Sequence, residues 1–543
     1  MSIDRRAIAI LSGLALAACG GATPQGDVAG SSSSSGPSAT TAEPTTSTTA
    51  PGTGEVTSDG GDESSESTGG EPDAIHITHS FGTIALDPFE DDVATCASWT
   101  LDNELALYVN KVTMANLGAF HHSNWFVIPE DEFAGEDGYW TCADRGFDEI
   151  AASTNGATVL FAQSTQSYTE AQELSPGAVV KIPPRHKVIA TLHTLNASPD
   201  PSESELWLSL YPIHPSEVTA VVTALSMQYH DLHIPPQQES RFTADCDLSA
   251  AYWLVNQEPL AMRLHYILPH YHYLGNFFEV KVKGGLRDGE VVYSLDGFNG
   301  SANGLTFDPP LDLPGATGIE FSCGYDNWRS EEVTWGNGGG EMCVMLALVE
   351  SDAVMGASVD LGNHPVGTDG DVDLFAGTCL AIGLPKPPEQ GMPTEQEILA
   401  PLYLPPVDPE DQDIPPIPQC KDSNPAVPPD GAPTLSRISD VLFAPSCTYS
   451  SCHGMNAAAG LQLDASDLHA ELMNHQPTQD TDRPLVAPGD PEGSHLYQLL
   501  AHCNPASNMG DVLPHMPLNA PFLLGDDKIA LVREWIEAGA PDD

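Results

Sequence analysis

The sequence predicts a mainly β protein: two β-sandwiches in tandem, of sandwich or jelly-roll type, followed by a small helical domain. Short runs in which apolar and polar residues alternate fill residues 76–384, and Gly, Pro, Asn and Asp separate them, as is typical of strands joined by turns. This span is long for one sandwich, so we divide it at 214/215. A Pro-rich, acidic segment at 385–432 predicts a semi-extended linker, and helical character begins only after it.

The N-terminus resembles that of an exported lipoprotein. Arg5 and Arg6 precede an apolar run, residues 7–18, that is too short for a typical membrane span and is shaped like a signal-peptide core. The run ends in Leu-Ala-Ala-Cys-Gly, which resembles a bacterial lipobox and implies cleavage before Cys19 and lipidation of that residue. A free cysteine in an ordinary signal peptide is the alternative. We expect a lipid-anchored chain in the cell envelope, on the periplasmic or cell-surface side of a bacterial membrane.

The net charge argues against two classes of partner. The chain of 543 residues has 76 Asp and Glu against 19 Lys and Arg, a formal charge of −57. Nucleic acid and anionic membrane surfaces attract basic proteins, so we expect no nucleic-acid binding and membrane contact through the lipid anchor only. Residues 19–75 are mostly Ser, Thr, Gly, Pro and acidic residues, a composition that cannot bury a core and predicts a disordered tether.

The stretch His270-Tyr271-His272 is the first sign of a metal site. It precedes residues 278–283, where Phe, Val and Val alternate with Glu, Lys and Lys at the period of a half-buried strand. If the strand begins by the histidines, His270 and His272 point the same way and present two imidazoles on one face. Taken alone this pattern is weak, since most histidines are surface or packing residues.

Three other places carry candidate copper ligands. They are the pair His121-His122, His193 at the end of an apolar run, and Met342 within Glu-Met-Cys. Imidazole and thioether suit copper, and a neutral sulfur favours Cu(I) over zinc or magnesium. On a flat strand, adjacent His121 and His122 would point to opposite faces, so the backbone must twist there or one ring must reach round.

In order and rough spacing, these residues resemble the copper type II, ascorbate-dependent monooxygenases, the family of peptidylglycine α-hydroxylating monooxygenase and dopamine β-monooxygenase, over roughly residues 85–380. The resemblance implies two tandem jelly rolls and two coppers per chain. It also implies hydroxylation of an aliphatic C–H bond of a small-molecule substrate with dioxygen and an ascorbate-type electron donor. By resemblance, the electron-transfer copper has the ligands His121, His122 and His193, and the catalytic, oxygen-binding copper has His270, His272 and Met342.

Two departures limit the resemblance. The peptide-hydroxylating members carry an arginine two positions before the first histidine of His-x-His, where this chain has Leu268, and a tyrosine four positions after the methionine, where it has Leu346. Since those groups hold the carboxylate of the peptide, a glycine-extended peptide is not the expected substrate. Two interpretations remain open beside the enzyme: a non-catalytic copper/haem redox or copper-binding lipoprotein, and a surface β-sandwich without metals.

Ten cysteines follow Cys19, and an even set in an oxidising compartment favours disulfides, although the sequence does not fix their connectivity. The resemblance implies one pair that clamps the methionine strand and one that braces the His121-His122 loop. A third pair would close the second jelly roll, and a fourth would tie the linker to the C-terminal domain. In this order, the pairs are Cys323–Cys343, Cys96–Cys142, Cys246–Cys379 and Cys420–Cys503.

A second chemical signal lies near the C-terminus. Cys447, Cys452 and His453 form C-x4-C-H, which is two residues longer than the usual haem c attachment C-x-x-C-H. The surrounding sequence resembles the small c-type cytochrome domains of the planctomycete type, which implies a haem that supplies electrons. His453 would be one axial ligand and Met516 the other, because a thioether opposite histidine raises the haem potential; His515 is the alternative. A Cys447–Cys452 disulfide without haem stays open.

The end of the chain predicts one helix. Asp526 can cap it, Ile529, Val532 and Ile536 form one apolar stripe, and Gly539 is the stop signal. In chain order, the predicted segments are a lipoprotein signal peptide (1–18), a disordered linker (19–75), an N-terminal copper monooxygenase-like jelly roll (76–214), a C-terminal one (215–384), a Pro-rich linker (385–432) and an α-helical cytochrome c-like domain (433–543).

Overall fold

The computed structural model describes residues 75–543 with short gaps. The predicted signal peptide, Cys19, the tether and Cys452 lie outside the described residues. Among the residues that the structure describes, no helix has both the length and the apolarity of a transmembrane segment. The gaps are residues 89, 149–151, 153–156, 164–167, 197–200, 273, 297–303, 328, 330, 337–339, 413, 418–419, 449–452, 455–457, 478–479, 481, 509–512 and 518–521.

The protein is mainly β, as predicted, and its strands form several sheets. The strands of the first sandwich are β1 (Ile77–Leu86), β2 (Asp91–Asp92), β3 (Thr95–Thr100), β4 (Leu107–Asn116), β5 (Phe120–Pro129), β6 (Gly138–Thr141), β7 (Thr158–Gln163), β8 (Thr169–Glu173), β9 (Ala178–Ile182), β10 (His186–Leu195), β11 (Ser202–Pro212) and β12 (Ala220–Val221). Sheet 1 has the order β1-β11-β4-β9-β12, with β8 paired to β4. Sheet 2 has the order β6-β3-β10-β5-β7, with β2 paired to β10.

The second sandwich follows without a break, because β12 still pairs with the first sandwich and the next strand begins at Thr223. Its strands are β13 (Thr223–Tyr229), β14 (His233–Ile234), β15 (Gln238–Asp247), β16 (Arg263–His270), β17 (Gly275–Lys283), β18 (Val291–Asp296), β19 (Leu305–Asp312), β20 (Gly318–Asn327), β21 (Val333–Thr334), β22 (Val344–Glu350), β23 (Ala353–Val359), β24 (His364–Asp369), β25 (Val372–Thr378) and β26 (Leu380–Pro385). Sheet 3 has the order β19-β16-β22-β13-β23-β26, and sheet 4 has the order β18-β17-β20-β15-β25-β24. Strands β14 and β21 pair separately. Helix α1 (Ser249–Asn256) lies against β26.

An apolar core fills each sandwich, because inward positions alternate with outward ones along the strands. Strand β17 follows the predicted pattern, with Phe278, Val280 and Val282 buried. The two sandwiches also share packing. Leu268 of β16 is only 3% exposed and belongs to the apolar cluster of the first sandwich, against which Leu346 also packs.

The Pro-rich segment after β26 packs back across the first sandwich. Gly391 accepts a hydrogen bond from Lys181 Nζ, and the Glu397 carboxylate accepts one from the Tyr108 hydroxyl. Further along, the Gln412 side chain hydrogen-bonds both the N–H and the C=O of Thr78. The segment contains a short helix, α2 (Glu395–Leu399), which begins with a capping box at Thr394. These contacts fix in place a segment whose composition alone predicts only an extended chain.

The remainder of the chain carries short helices around an apolar cluster. They are α3 (Leu435–Ile438), a π-helical turn (Ser439–Phe443), α4 (Ala444–Ser446), α5 (Leu468–Asn474), α6 (His495–Ala501) and α7 (Asp526–Glu537). Helix α7 buries the predicted stripe of Ile529, Val532 and Ile536. The predicted cap is wrong by one residue: Gly525 is the N-cap, and Asp526 instead accepts hydrogen bonds from Ser423 and Asn424.

Disulfide bonds join four pairs of cysteines in the structure. They are the pairs that the sequence suggested: Cys96–Cys142, Cys246–Cys379, Cys323–Cys343 and Cys420–Cys503.

Candidate metal centre

His121, His122 and His193, which we call the first set, lie on adjacent strands of sheet 2. His122 on β5 stands directly opposite His193 on β10, whereas the next residue of β10, Thr194, stands opposite Phe120. His121 is therefore the extra residue of a β-bulge. Bulges of this kind bend a strand and re-aim side chains, often beside functional sites.

The bulge allows the side chains of two adjacent histidines to face one site. Phe120 and Trp125 both lie in the core of the first sandwich although they are five positions apart, so the strand changes phase between them. The ring centroids of His121 and His122 are 5.0 Å apart, and each lies within 4.9 Å of the His193 ring. Of the two predicted alternatives, a twist of the backbone or one ring that reaches round, the structure shows a distorted backbone.

The nitrogen atoms of the first set converge. One ligating nitrogen from each ring lies within 4.8 Å of the other two, and among the described residues no further group of three or more His, Cys, Asp or Glu side chains meets that criterion. His193 Nδ1 lies 2.7 Å from His122 Nε2, and His193 Nε2 lies 2.6 Å from Asp91 Oδ1. The Asp91 carboxylate can only accept, so Nε2 carries the proton and Nδ1 directs its lone pair toward His122.

His270, His272 and Met342 form the second set, and its two histidines are held differently from the prediction. His270 is the last residue of β16, opposite Val344, and His272 lies in the turn before β17. The condition that one strand begins by the histidines is not met: β16 ends at His270, and the turn into β17 starts at His272, whose carbonyl accepts the N–H of Gly275. The two rings nevertheless meet, with centroids 5.2 Å apart. His272 Nδ1 lies 3.0 Å from the Gly340 carbonyl oxygen, to which it donates, so Nε2 keeps its lone pair.

A buried carboxylate ties Met342 to this turn. Glu341 is 0% exposed and accepts the backbone N–H groups of His272 and Leu274, each at 2.8 Å. Burial raises the pKa of the Glu341 carboxyl to about 7, although these hydrogen bonds oppose the rise. Met342 is also buried, and its carbonyl accepts a hydrogen bond of 2.6 Å from the Tyr325 hydroxyl. The residues around Met342 are thus fixed relative to His272.

The two sets adjoin each other across the boundary between the sandwiches. The ring centroids of His122 and His270 are 5.9 Å apart. Burial lowers the pKa of His122 well below its usual value and that of His270 to about 3, and repulsion from neighbouring imidazoles adds to both effects. The pKa of His272 is also lowered, mainly by burial. These three rings are neutral near pH 7, so their lone pairs are available to a cation.

This donor set fits copper. Neutral imidazoles and a thioether are the ligands that copper accepts readily, whereas magnesium and calcium require oxygen and structural zinc sites usually use thiolates. The sequence did not predict Asp91 or Glu341 as part of this site. Asp91 is one of many acidic residues and has no local signal, and the Glu-Met-Cys motif drew attention to the methionine alone.

The proposed haem ligands are described only in part. His453 Nδ1 lies 3.2 Å from the Leu461 carbonyl oxygen, and its backbone N–H donates to the Cys447 carbonyl. Cys447 and Met516 pack against the same apolar cluster, and His515 Nδ1 lies 3.1 Å from the Cys503 carbonyl oxygen. A carbonyl oxygen at Nδ1 orients a histidine ring in the way that an axial ligand requires.

Comparisons with known proteins do not assign this chain to a family. No protein-family model and no curated protein matches this chain. Among solved structures, the major capsid protein P2 of bacteriophage PM2 is 7% identical, with a TM-score of 0.20 over 50% of this chain and 98% of the other. Naturally occurring empty particles of cowpea mosaic virus give 7% identity and a TM-score of 0.21, over 49% of this chain and 91% of the other. At such scores the similarities carry no argument about function.

Proposed function

We propose that this chain is an exported, lipid-anchored, copper-dependent monooxygenase that hydroxylates an aliphatic C–H bond of a small molecule with dioxygen. Its architecture would be two tandem jelly rolls followed by a cytochrome c-like domain. One observation carries the proposal: five histidines from two sandwiches meet at one boundary, and the segment that holds Met342 is bonded to the turn that holds His272.

The two sets would hold two coppers. The first set, His121, His122 and His193, would bind the copper that passes electrons, and the second set, with Met342, would bind the copper at which oxygen reacts. When bound, copper supplies one-electron redox chemistry and activation of dioxygen. A neutral thioether in the second set favours the reduced ion there.

The protein's own groups prepare these ligands. Asp91 holds the proton of His193 on Nε2, and the Gly340 carbonyl holds that of His272 on Nδ1, so each ring offers its other nitrogen. Glu341 fixes the backbone of His272 and Leu274, which limits how far that turn can move. Such pre-orientation reduces the cost of gathering ligands around a cation.

The substrate differs from that of the peptide-hydroxylating relatives. Leu268 and Leu346, at the positions of their arginine and tyrosine, contribute to the apolar packing shared by the two sandwiches. These positions serve packing here and offer no group to a carboxylate. The same observation favours the second candidate function, a copper-binding or redox lipoprotein without catalytic activity.

The C-terminal helices would carry haem c. Cys447 and Cys452 would attach it, and His453 and Met516 would be its axial ligands. The hydrogen bond from His453 Nδ1 to the Leu461 carbonyl supports this assignment. When bound, haem c would supply a one-electron store.

Copper content and oxygen uptake test the proposal together. After periplasmic expression and copper loading, we expect two coppers per chain, ascorbate-dependent oxygen consumption with a reactive aliphatic substrate, and a haem Soret band. His193→Ala and Met342→Ala should each remove one copper, whereas His364→Ala, at an exposed position on β24, should remove none. Two coppers without oxygen consumption across a broad substrate panel would favour the non-catalytic function, and a chain that binds no copper would overturn both.

A further inference from the structure

The C-terminal part of the chain touches the turn that leads into β5, at a glycine. Gly118 lies three residues before His121 and has φ +106°, a backbone conformation that favours glycine. Its N–H donates to Asn116 Oδ1 at 2.7 Å, which closes a tight turn at the entrance to β5. The direction in which β5 starts, and hence the position of the bulge at His121, depends on this turn.

Phe522 fills the space above that glycine. A Cβ atom at Gly118 would lie 2.7 Å from Phe522 Cε1 and 3.1 Å from Tyr168 Cε1, so the two rings occupy the volume that a side chain would need. The Phe522 and Tyr168 ring centroids are 6.3 Å apart, and the Tyr168 carbonyl accepts the N–H of Asn116. The ring, the glycine and the turn therefore form one packed unit.

Phe522 differs from its neighbours in the direction of its contacts. Leu523 and Leu524 pack into the apolar cluster of the C-terminal helices, whereas Phe522 contacts the first sandwich. The C-terminal part of the chain therefore reaches the first sandwich here through a side chain that its own core does not use.

The turn is connected to the metal ligands by backbone hydrogen bonds and strand pairing. Ala119 accepts the N–H of Leu195, two residues after His193, and Leu195 stands opposite Asp91, which holds the His193 ring. A displacement at Gly118 would thus reach His121 along β5 and His193 along β10. The second set is positioned by other elements, since its histidines lie at the end of β16 and in the turn that Glu341 holds.

We propose that Phe522 is a positioning residue for the first set: by packing on Gly118 it holds the start of β5 in the register that aims His121 and His122 at one cation. The C-terminal domain is then a structural part of the electron-transfer copper site. This inference rests on the proposed function, and it assigns to a residue far along the chain control over one metal site and not the other.

The test compares Phe522→Ala with Phe522→Leu, which keeps an apolar side chain of substantial size, and with Leu523→Ala, which truncates the next residue in the C-terminal cluster. Each is made in two backgrounds: His270→Ala/His272→Ala, which leaves only the first set, and His121→Ala/His193→Ala, which leaves only the second. Copper(II) affinity is measured by competition with a chelator, and hydrogen exchange is followed over residues 116–124.

We expect Phe522→Ala to speed exchange at 116–124 and to weaken copper binding by the first set about tenfold, the usual effect of losing a group that orients a ligand. Binding by the second set should not change. Phe522→Leu should restore most of the affinity, and Leu523→Ala should leave the affinity of the first set intact.

Two results overturn the inference: unchanged exchange and affinity in Phe522→Ala, or an equal loss of affinity in both sets. A wild-type chain that binds no copper refutes the proposed function and, with it, the metal role of Phe522. Hydrogen exchange reports on the packing contact separately, so the two failures can be told apart.

Discussion

The two ligand sets are built by different means. The first lies on two paired strands of sheet 2, and a bulge at His121 with the carboxylate of Asp91 aims its rings. The second lies at a strand end and in a turn, and a buried carboxylate, Glu341, together with a nearby disulfide fixes it. A site within a sheet inherits its geometry from the strand register, whereas a site on a turn needs dedicated buried groups. The second set should therefore be the more sensitive to single substitutions.

The largest effect should come from Leu268, two residues before His270. It is nearly fully buried in the packing between the sandwiches. Leu268→Ala should lower the free energy of unfolding by about 3 kcal/mol, since it leaves a cavity. Leu268→Arg should cost more because it buries a charge. Chemical denaturation measures both.

Leu286→Ala is the control for this substitution, because Leu286 is 90% exposed and should change stability by less than about 0.5 kcal/mol. A Leu268→Arg protein as stable as wild type would show that β16 does not depend on this packing.

Glu341→Ala should have the next largest effect. It leaves the buried N–H of Leu274 and the part-buried N–H of His272 without this acceptor, at a cost of about 3 kcal/mol together, and it frees the turn that holds His272. We expect loss of the copper bound by the second set while the first set keeps its own. Glu341→Gln retains an acceptor oxygen and should lose much less. Chemical denaturation measures the loss of stability, and copper analysis measures the loss of each copper. Equal loss of copper from both sets would contradict the claim that Glu341 supports the second set alone.

Asp91→Ala tests the first set in the same way but with a smaller effect. The His193 ring loses the acceptor that fixes its proton on Nε2, and we expect copper affinity at the first set to fall about tenfold. Asp92→Ala is a neighbouring control, because the Asp92 side chain hydrogen-bonds Ala94 and Thr95 instead of a histidine. Equal copper affinities in the two variants would remove Asp91 from the site.

Per pH unit, the smallest effect is the dependence of stability on pH. The pKa of His270 is about 3 in the folded, metal-free protein and near 6.5 when unfolded, so between these values the unfolded chain binds the extra proton. Stability is therefore lost as pH falls from 6.5 toward 3, by up to about 1.4 kcal/mol per pH unit for this group. Glu341, with its raised pKa, has the opposite sign: its contribution weakens stability as pH rises from 4.5 to 7.

Comparison of His270→Leu with wild type isolates the histidine. The variant should show a shallower decline in stability between pH 6 and pH 4 when chemical denaturation is followed at each pH. Parallel curves for the two proteins would mean that His270 is protonated in the folded state as readily as in the unfolded chain.

Much of the strand architecture could be predicted from local patterns, and the reasons are visible in particular residues. The alternation at 278–283 is a local property, and β17 has it. The bulge at His121 could not be located, because it depends on how β5 pairs with β10, some 70 residues later. The path of segment 385–432 could not be predicted either, because it depends on contacts with Tyr108 and Lys181, which are distant in the sequence.

For the candidate site, residue types could be predicted but their supports could not. Histidine and methionine side chains are metal ligands by their own chemistry, so a pattern of them in the sequence is informative. Asp91 and Glu341 are common acidic residues whose importance comes only from their position beside a ring or under a turn. Phe522 is a further case, since nothing near it in the sequence points to Gly118.

X-ray absorption at the copper edge tests the central claim most directly. In the reduced, fully loaded protein we predict two coppers per chain, both with nitrogen neighbours. Only the copper of the second set should have a sulfur neighbour, so the averaged spectrum should show one sulfur for every two coppers. Met342→Ala should abolish this sulfur signal without loss of the copper bound by the first set. A reduced protein whose copper has no sulfur neighbour, or a spectrum unaltered by Met342→Ala, would contradict the assignment of the second set.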